Sequence, residues 1–244
     1  SLSEDEVVAV LDGKRVLVKA GVGFANQEPY NEVVATELHR RLLEPGEYVP
    51  YRLLHSDRRV YSACDQMLGP DEELVSAYDL IRKRKQDNRK SDLMFYVRCC
   101  EELGIESVMD GLAKMFACDY ILANRDRHWR NFGVIRNVET LEGVGLAPVF
   151  DTGSCLWSDR IELELPIDFK YKAKPFKYDG MRPYDQIQLF AGHYGWFDEG
   201  ALEGFVDSLK DILSANPNIS EARIESIAGQ VDKNIEQLVM TTHA

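Results

Sequence analysis

Two short stretches place oxygen-bearing side chains at the ends of apolar runs: Asn124-Arg-Asp-Arg-His-Trp-Arg-Asn131, then Pro148-Val-Phe-Asp151-Thr-Gly153. Phosphoryl transfer asks for that set. It needs a carboxylate to orient a hydroxyl and receive its proton, and hard oxygen donors to hold a magnesium ion shared with phosphates. Asp126 is the candidate for the first role, and Asn131 and Asp151 for the second. Gly153 allows a tight backbone turn after Asp151. His128 and Arg130 lie between the acid and the amide, placed to steady the loop or contact phosphate. Near the front of the chain, Val16-Leu-Val-Lys19 ends a strand and Glu32 opens a helix. A strand lysine held by a helix glutamate and aimed at phosphates is the other half of such a site.

These groups need a scaffold. Val7–Leu11 and Arg15–Ala20 flank Asp12-Gly13, a hairpin signal because Asp-Gly tolerates the positive φ of a tight turn. Residues 30–43 carry Val34, Leu38 and Leu42 at helical spacing, and Pro45-Gly46 stops that helix. Tyr51–Leu54 and Arg59–Ala63 read as strands. Leu68-Gly69-Pro70 breaks both kinds of element. Beyond it the pattern predicts helices over 71–84, 92–103 and 107–123, the last burying Val108, Leu112, Met115, Phe116 and Ile121 or Leu122. Strands are expected at 132–135 and 146–150 with a polar linker between them, then an irregular stretch over 152–183. Tail helices follow, clearest at 199–213 and 220–239. The fold class expected is α+β with two lobes: a small sheet-and-helix lobe over residues 1–67, covering the nucleotide, and a larger, mostly helical lobe over 68–244.

The chain has 244 residues, 45% hydrophobic and 29% charged, with a net charge of −12. That charge argues against sequence-independent nucleic-acid binding, which depends on Lys and Arg, and against an anionic bilayer. No apolar run is long enough for a membrane span. The acidic start, Ser1-Leu-Ser-Glu-Asp-Glu6, is unlike a signal peptide. Cys64, Cys99, Cys100, Cys118 and Cys155 show no Cys-x-x-Cys spacing and read as reduced, mostly buried thiols. A cytoplasmic location is expected.

The combination Val-Lys19, Asn31-Glu32, Asn124-x-Asp126-x-His128-x-x-Asn131-Phe132 and Pro148-x-Phe-Asp151 resembles the HipA-like protein serine/threonine kinases, a bacterial toxin-associated branch of the protein-kinase-like fold. The resemblance runs from about Val7 into the helical tail. It implies Asp126 as the catalytic acid, Asn131 and Asp151 as magnesium ligands, Lys19 as an ATP contact, and ATP and Mg²⁺ as cofactors. It also implies a protein acceptor and a toxin–antitoxin setting. Ahead of the hairpin only Ser1-Leu-Ser3 stands where such kinases carry a Ser- or Gly-rich phosphate-covering loop. Their amino-terminal subdomain is likewise missing, and a separate small protein is expected to supply it.

Asp-Arg-His-x-x-Asn is also similar to the catalytic loop of phosphoinositide kinases, so a lipid- or small-molecule-directed kinase is the alternative, with a non-catalytic kinase-like binding module behind it. Two basic runs stand out. Ile81-Arg-Lys-Arg-Lys85, with Arg89 and Lys90, reads as a solvated helix face. Lys170-Tyr-Lys-Ala-Lys-Pro-Phe-Lys177 reads either as a surface loop or as a border of the acceptor, favouring an acidic or phosphate-bearing one. Ser154, Ser158, Ser1 and Ser3 are candidate self-phosphorylation positions. Trp129, Trp157 and Trp196 read as packing residues.

Overall fold

Gly13, at φ +77°, closes the turn between β1 (Glu6–Leu11) and β2 (Lys14–Ala20), whose partners run from Glu6–Lys19 to Leu11–Lys14. The computed structural model describes residues 6–11, 13–21, 23–57, 59–82, 84, 91–161 and 167–243. Ser1-Leu-Ser3, Asp12, Lys83, Lys85, Arg89 and Lys90, on which expectations were placed, lie outside them.

The hairpin is one edge of a four-stranded antiparallel sheet. It is completed by β3 (Tyr51–His55) and β4 (Val60–Asp65) in the order β1-β2-β4-β3. Between β2 and β3 runs α1 (Glu28–Leu42), which begins with Pro29 in its first turn and buries Val34 and Leu38 fully. Proline is favoured there because the first turn's N–H groups have no helical partner.

The helix expected over 71–84 is a correction. Glu72–Ser76 form a strand, β5, and only Ala77–Arg82 are helical, as α2. Local propensity yields to pairing: β5 lies antiparallel to β6 (Gly133–Asn137), Leu74 opposite Ile135 and Val75 opposite Val134. A side chain at position 133 would collide with the carbonyl of Val75, so the glycine lets the two backbones meet. Ser76 then ends the strand and caps the helix, its Oγ accepting from Asp79 N at 3.1 Å.

β7 (Gly143–Leu146) completes the second sheet in the order β5-β6-β7. The second strand therefore lies earlier than the expected 146–150. The polar linker is shorter because Asn137 Oδ1 accepts from the N–H groups of Glu139 and Thr140, both at 2.9 Å, turning the chain within a few residues.

α3 (Asp92–Glu101) and α4 (Val108–Ile121) sit where the periodicity puts them. Val108, Leu112, Met115, Phe116, Ile121 and Leu122 are all buried. The tail holds α5 (Pro183–Gln188), α6 (Phe205–Ser214) and α7 (Glu221–Thr242). The expected helix 199–213 is divided: Glu199–Leu202 form a 3₁₀ turn, and Gly204 at φ +73° separates it from α6.

One large core runs from Tyr30 on α1, through α3 and α4, to Leu238 on α7. The first helix is thus packed into the same interior as the last. Arg41 on α1 bonds the carbonyls of Ala201 and Glu203, and Tyr30 Oη donates to Ala215 O. A small second cluster of Val49, Tyr51 and Cys64, with Leu17, Met67 and Phe150 against it, lies under the first sheet. The five cysteines are buried free thiols. Trp157 packs on Phe169 and Trp129 on Phe132. Among the described residues no helix is long and apolar enough to cross a membrane.

Candidate active site

Just past the end of α4, Ala123 takes a left-handed φ of +52° and sends the chain into the loop of Asn124–Asn131. Asn124 is tied back to the helix, Nδ2 to Asp119 Oδ1 at 2.8 Å and N to Asp119 O at 2.8 Å. The loop closes on itself: Asn131 Nδ2 donates to Asp126 O at 3.0 Å, and His128 N donates to the same carbonyl at 2.8 Å. Because the amide nitrogen of Asn131 is engaged, its Oδ1 is the donor-free oxygen available to a cation.

Arg127 organises the site. It is 1% exposed and paired with Asp119 by two bonds, at 2.7 and 2.9 Å. Its remaining N–H groups reach Asn131 O at 2.7 Å, Phe150 O at 2.6 Å and Thr152 Oγ1 at 3.1 Å. One guanidinium therefore fastens the Asp126–Asn131 loop to the Asp151 loop. A buried charge is tolerable only with such a full set of partners.

Asp151 occupies the left-handed region at φ +56°, uncommon for a residue with a side chain though less costly for Asp than for most. The turn aims its carboxylate at the first sheet. Lys19 Nζ lies 2.7 Å from Asp151 Oδ1, across 132 positions of sequence. Burial acts to raise the Asp151 pKa, but Lys19, Arg127 and His128 outweigh it and hold the carboxyl below its usual range. Lys19 also stands over the Tyr51 ring, 5.7 Å from its centroid.

Glu32 lies beneath that pair, almost wholly buried. Thr152 N donates to its Oε2 at 3.2 Å. Gly153 passes so close that a Cβ there would stand 3.2 Å from Glu32 Oε1. Burial pushes the Glu32 carboxyl up, to about 7; Lys19 pulls against this and Asp151 adds to it. Asn31 fixes the same loop further on, donating to the carbonyls of Gly153 and Cys155, each at 2.8 Å. Gln27 and Arg223 extend this brace to Leu156 O and Trp157 O.

Lys19, Asn131, Asp151, His128 and Arg130 line one cleft of about 780 Å³, walled on the apolar side by Val16, Leu17, Tyr51, Leu74 and Phe150. The volume falls within the roughly 300–1,000 Å³ of ligand sites. Arg130 is stacked on the Tyr78 ring at 4.0 Å. His128 Nδ1 accepts from Arg130 N at 3.2 Å. Asp126 lies beside this cleft and is partly open to solvent: its carboxylate is 3.9 Å from His128 Nε2 and 3.6 Å from Lys174 Nζ. Among the described residues there is no cluster of three or more His, Cys, Asp or Glu able to hold a metal. The Asn131–Asp151 pair is one amide oxygen and one carboxylate, a partial oxygen set that suits Mg²⁺, which takes its other ligands from water and phosphate.

The structure thus gathers Lys19, Glu32, Asn131 and Asp151, with His128 at the cleft wall and Asp126 beside it. Arg127 and Asp119 escaped the sequence reading. Ser158, a candidate phosphorylation position, is 1% exposed, which removes its hydroxyl from reach; Ser1 and Ser3 lie outside the described residues.

No family model matches the chain, and no curated protein matches it. Solved structures do. A Helicobacter pylori proinflammatory kinase, CtkA, superposes with a TM-score of 0.68 at 18% identity, over 100% of this chain and 94% of that one. HipA of a Shewanella oneidensis MR-1 toxin–antitoxin system, solved with HipB and operator DNA, superposes with a TM-score of 0.51 at 11% identity, over 100% of this chain and 67% of that one. The chain has a HipA-like kinase fold.

Proposed function

We propose that the protein is an ATP- and Mg²⁺-dependent kinase of HipA-like type that phosphorylates a serine or threonine hydroxyl. The observation that carries this reading is the Lys19–Asp151 contact of 2.7 Å inside a cleft that Asn131 also lines. Two remote segments deliver a phosphate-binding cation and a metal-binding carboxylate to one place, as transfer between bound phosphates and a hydroxyl requires.

In this reading Lys19 leaves Asp151 for the nucleotide phosphates, and Glu32 keeps the ammonium in position from below. Asp151 and Asn131 hold Mg²⁺, which supplies charge neutralisation on the phosphates. Asp126 orients the acceptor. The acceptor oxygen forms its bond to the γ-phosphorus, the bond to the bridging oxygen breaks with its electron pair leaving on ADP, and the hydroxyl proton passes to Asp126. His128 shares the carboxylate's surroundings and steadies the loop.

The two-lobed division, residues 1–67 over 68–244, belongs to this proposal. The first sheet lies wholly before Leu68 and the second wholly after it, which supports the boundary. So do the cytoplasmic setting, the toxin–antitoxin context suggested by the Shewanella neighbour, and a separate small partner protein belong to it. The test is transfer of label from γ-labelled ATP with Mg²⁺ to the protein itself or to proteins of a lysate. Wild type transfers label and Asp126→Asn does not; equal labelling by both would end the assignment of Asp126.

A further inference from the structure

The segment after the Asp151 loop is turn-rich yet anchored on three sides. Ala173 and Met181 exchange both backbone hydrogen bonds, at 2.8 and 3.0 Å. Buried Gln186 donates to Lys174 O at 2.6 Å. The Phe176 ring packs against Phe116, Trp129 and Phe190, with centroids 5.0, 5.5 and 6.3 Å away. Within this frame burial alternates. Tyr171 is half-buried and Ala173 and Pro175 are buried, while Lys170, Lys172 and Lys174 are exposed. The alternation leaves the three lysines on the solvent side of the segment. The last of them reaches the candidate catalytic acid, Lys174 Nζ to Asp126 Oδ1 at 3.6 Å.

The local charge runs against the rest of the molecule. Residues 167–182 contain Lys170, Lys172, Lys174, Lys177 and Arg182 against Asp168 and Asp179, in a chain of net charge −12. The Asp168 carboxylate accepts from the backbone N of Lys170 at 3.1 Å, and Arg182 is taken up by Asp185. Among the described residues the ion pair formed by the lysine strip is the one to Asp126. A fixed row of cations beginning at the acceptor-orienting acid is a docking edge for negative charge.

We propose that Lys170, Lys172 and Lys174 form the acceptor-binding edge of the site and select a hydroxyl flanked by acidic residues of an extended polypeptide. This rests on the kinase reading. Side chains two residues apart in an extended peptide stand roughly 6–7 Å from one another, a spacing that alternately exposed lysines can match. An acidic residue two positions from the acceptor hydroxyl therefore meets Lys172 when the hydroxyl is at Asp126. Lys174 pairs with Asp126 in the free protein and turns to the incoming peptide.

The experiment uses two fluorescein-labelled peptides with one central serine, differing in Glu or Lys at alternate flanking positions. Binding is read by anisotropy at about 50 and about 300 mM salt, and phosphate transfer from ATP·Mg²⁺ is measured with the same peptides. Wild type is compared with Lys170→Glu/Lys172→Glu and with the neutral Lys170→Gln/Lys172→Gln. Both positions are exposed, so melting temperatures stay level. The expected result is at least tenfold tighter binding of the Glu peptide by wild type, weakened by salt, lost in the neutral variant and reversed in the charge-swapped one. Equal binding of both peptides, or a preference that survives charge reversal, would overturn the proposal. Binding preference without any phosphate transfer would retain the acidic-peptide edge and remove the kinase reading beneath it. Equal transfer to both peptides would do the opposite.

Discussion

Replacing Glu32 with Gln separates two forces at the centre of the site. Burial favours the neutral acid, whereas Lys19 favours the carboxylate, and burial wins, raising the pKa from 4.5 to about 7. At about 1.4 kcal/mol per pH unit, the displacement corresponds to about 3 kcal/mol. The sign follows from proton uptake. Between 4.5 and about 7 the native state binds more protons than the unfolded chain, so this group's contribution is present at low pH and is lost as pH rises through about 7. The amide that replaces the carboxyl does not titrate. The unfolding free energy of Glu32→Gln relative to wild type, measured by urea denaturation, should therefore rise by about 3 kcal/mol between pH 5 and pH 9, most of it before pH reaches about 7. Taking the difference cancels other groups. One is His39, which burial and Arg127 hold down at about 3, and whose contribution is lost as pH falls below 6.5. A difference independent of pH, or one falling as pH rises, would mean that the Lys19 attraction matches or exceeds the burial cost and would refute the reasoning. Activity should fall in the variant although stability at high pH improves, because the amide loses the charge that attracts Lys19.

Arg127→Ala leaves Asp119 buried without its partner, and should cost about 3–5 kcal/mol in urea denaturation together with loss of activity. Lys19→Ala should raise the Kd for ATP·Mg²⁺ at least about tenfold by calorimetry while leaving the melting temperature within a few degrees. Asp126→Asn should lower the transfer rate by roughly 10²–10⁴ with nucleotide binding unchanged, because Asp126 stands beside the cleft rather than in its wall. Gly133→Ala should destabilise the second sheet, since its methyl meets Val75 O, and should show as a lowered melting temperature.

Much of the candidate site could be read from residue order because the phosphoryl transfer proposed for it demands particular side chains at the ends of elements, and apolar periodicity marks those ends. The Asp-Gly hairpin, α1 and α4 were legible for that reason. β5 was not: Glu72–Ser76 carry no strong strand preference, and only the partner strand and the bare Gly133 make them extended. Arg127 was hidden because its role lies in five bonds to three segments, two of them reaching Phe150 and Thr152, 23 and 25 positions away. One clue was present. Asp119 falls on the buried stripe of α4, after Leu112, Met115 and Phe116, and a carboxylate in an apolar stripe requires a buried cation. The direct Lys19–Asp151 contact was equally beyond reach, since local order says nothing of convergence across 132 positions.

A crystal structure with a non-hydrolysable ATP analogue and Mg²⁺ tests the central claim most directly. It should place the phosphates in the cleft, with Lys19 Nζ moved from Asp151 to a phosphate oxygen and with Asn131 Oδ1 and the Asp151 carboxylate on the metal at about 2.0–2.1 Å. Nucleotide bound elsewhere, or a filled cleft in which Lys19 stays on Asp151 and no metal touches Asn131, would contradict it.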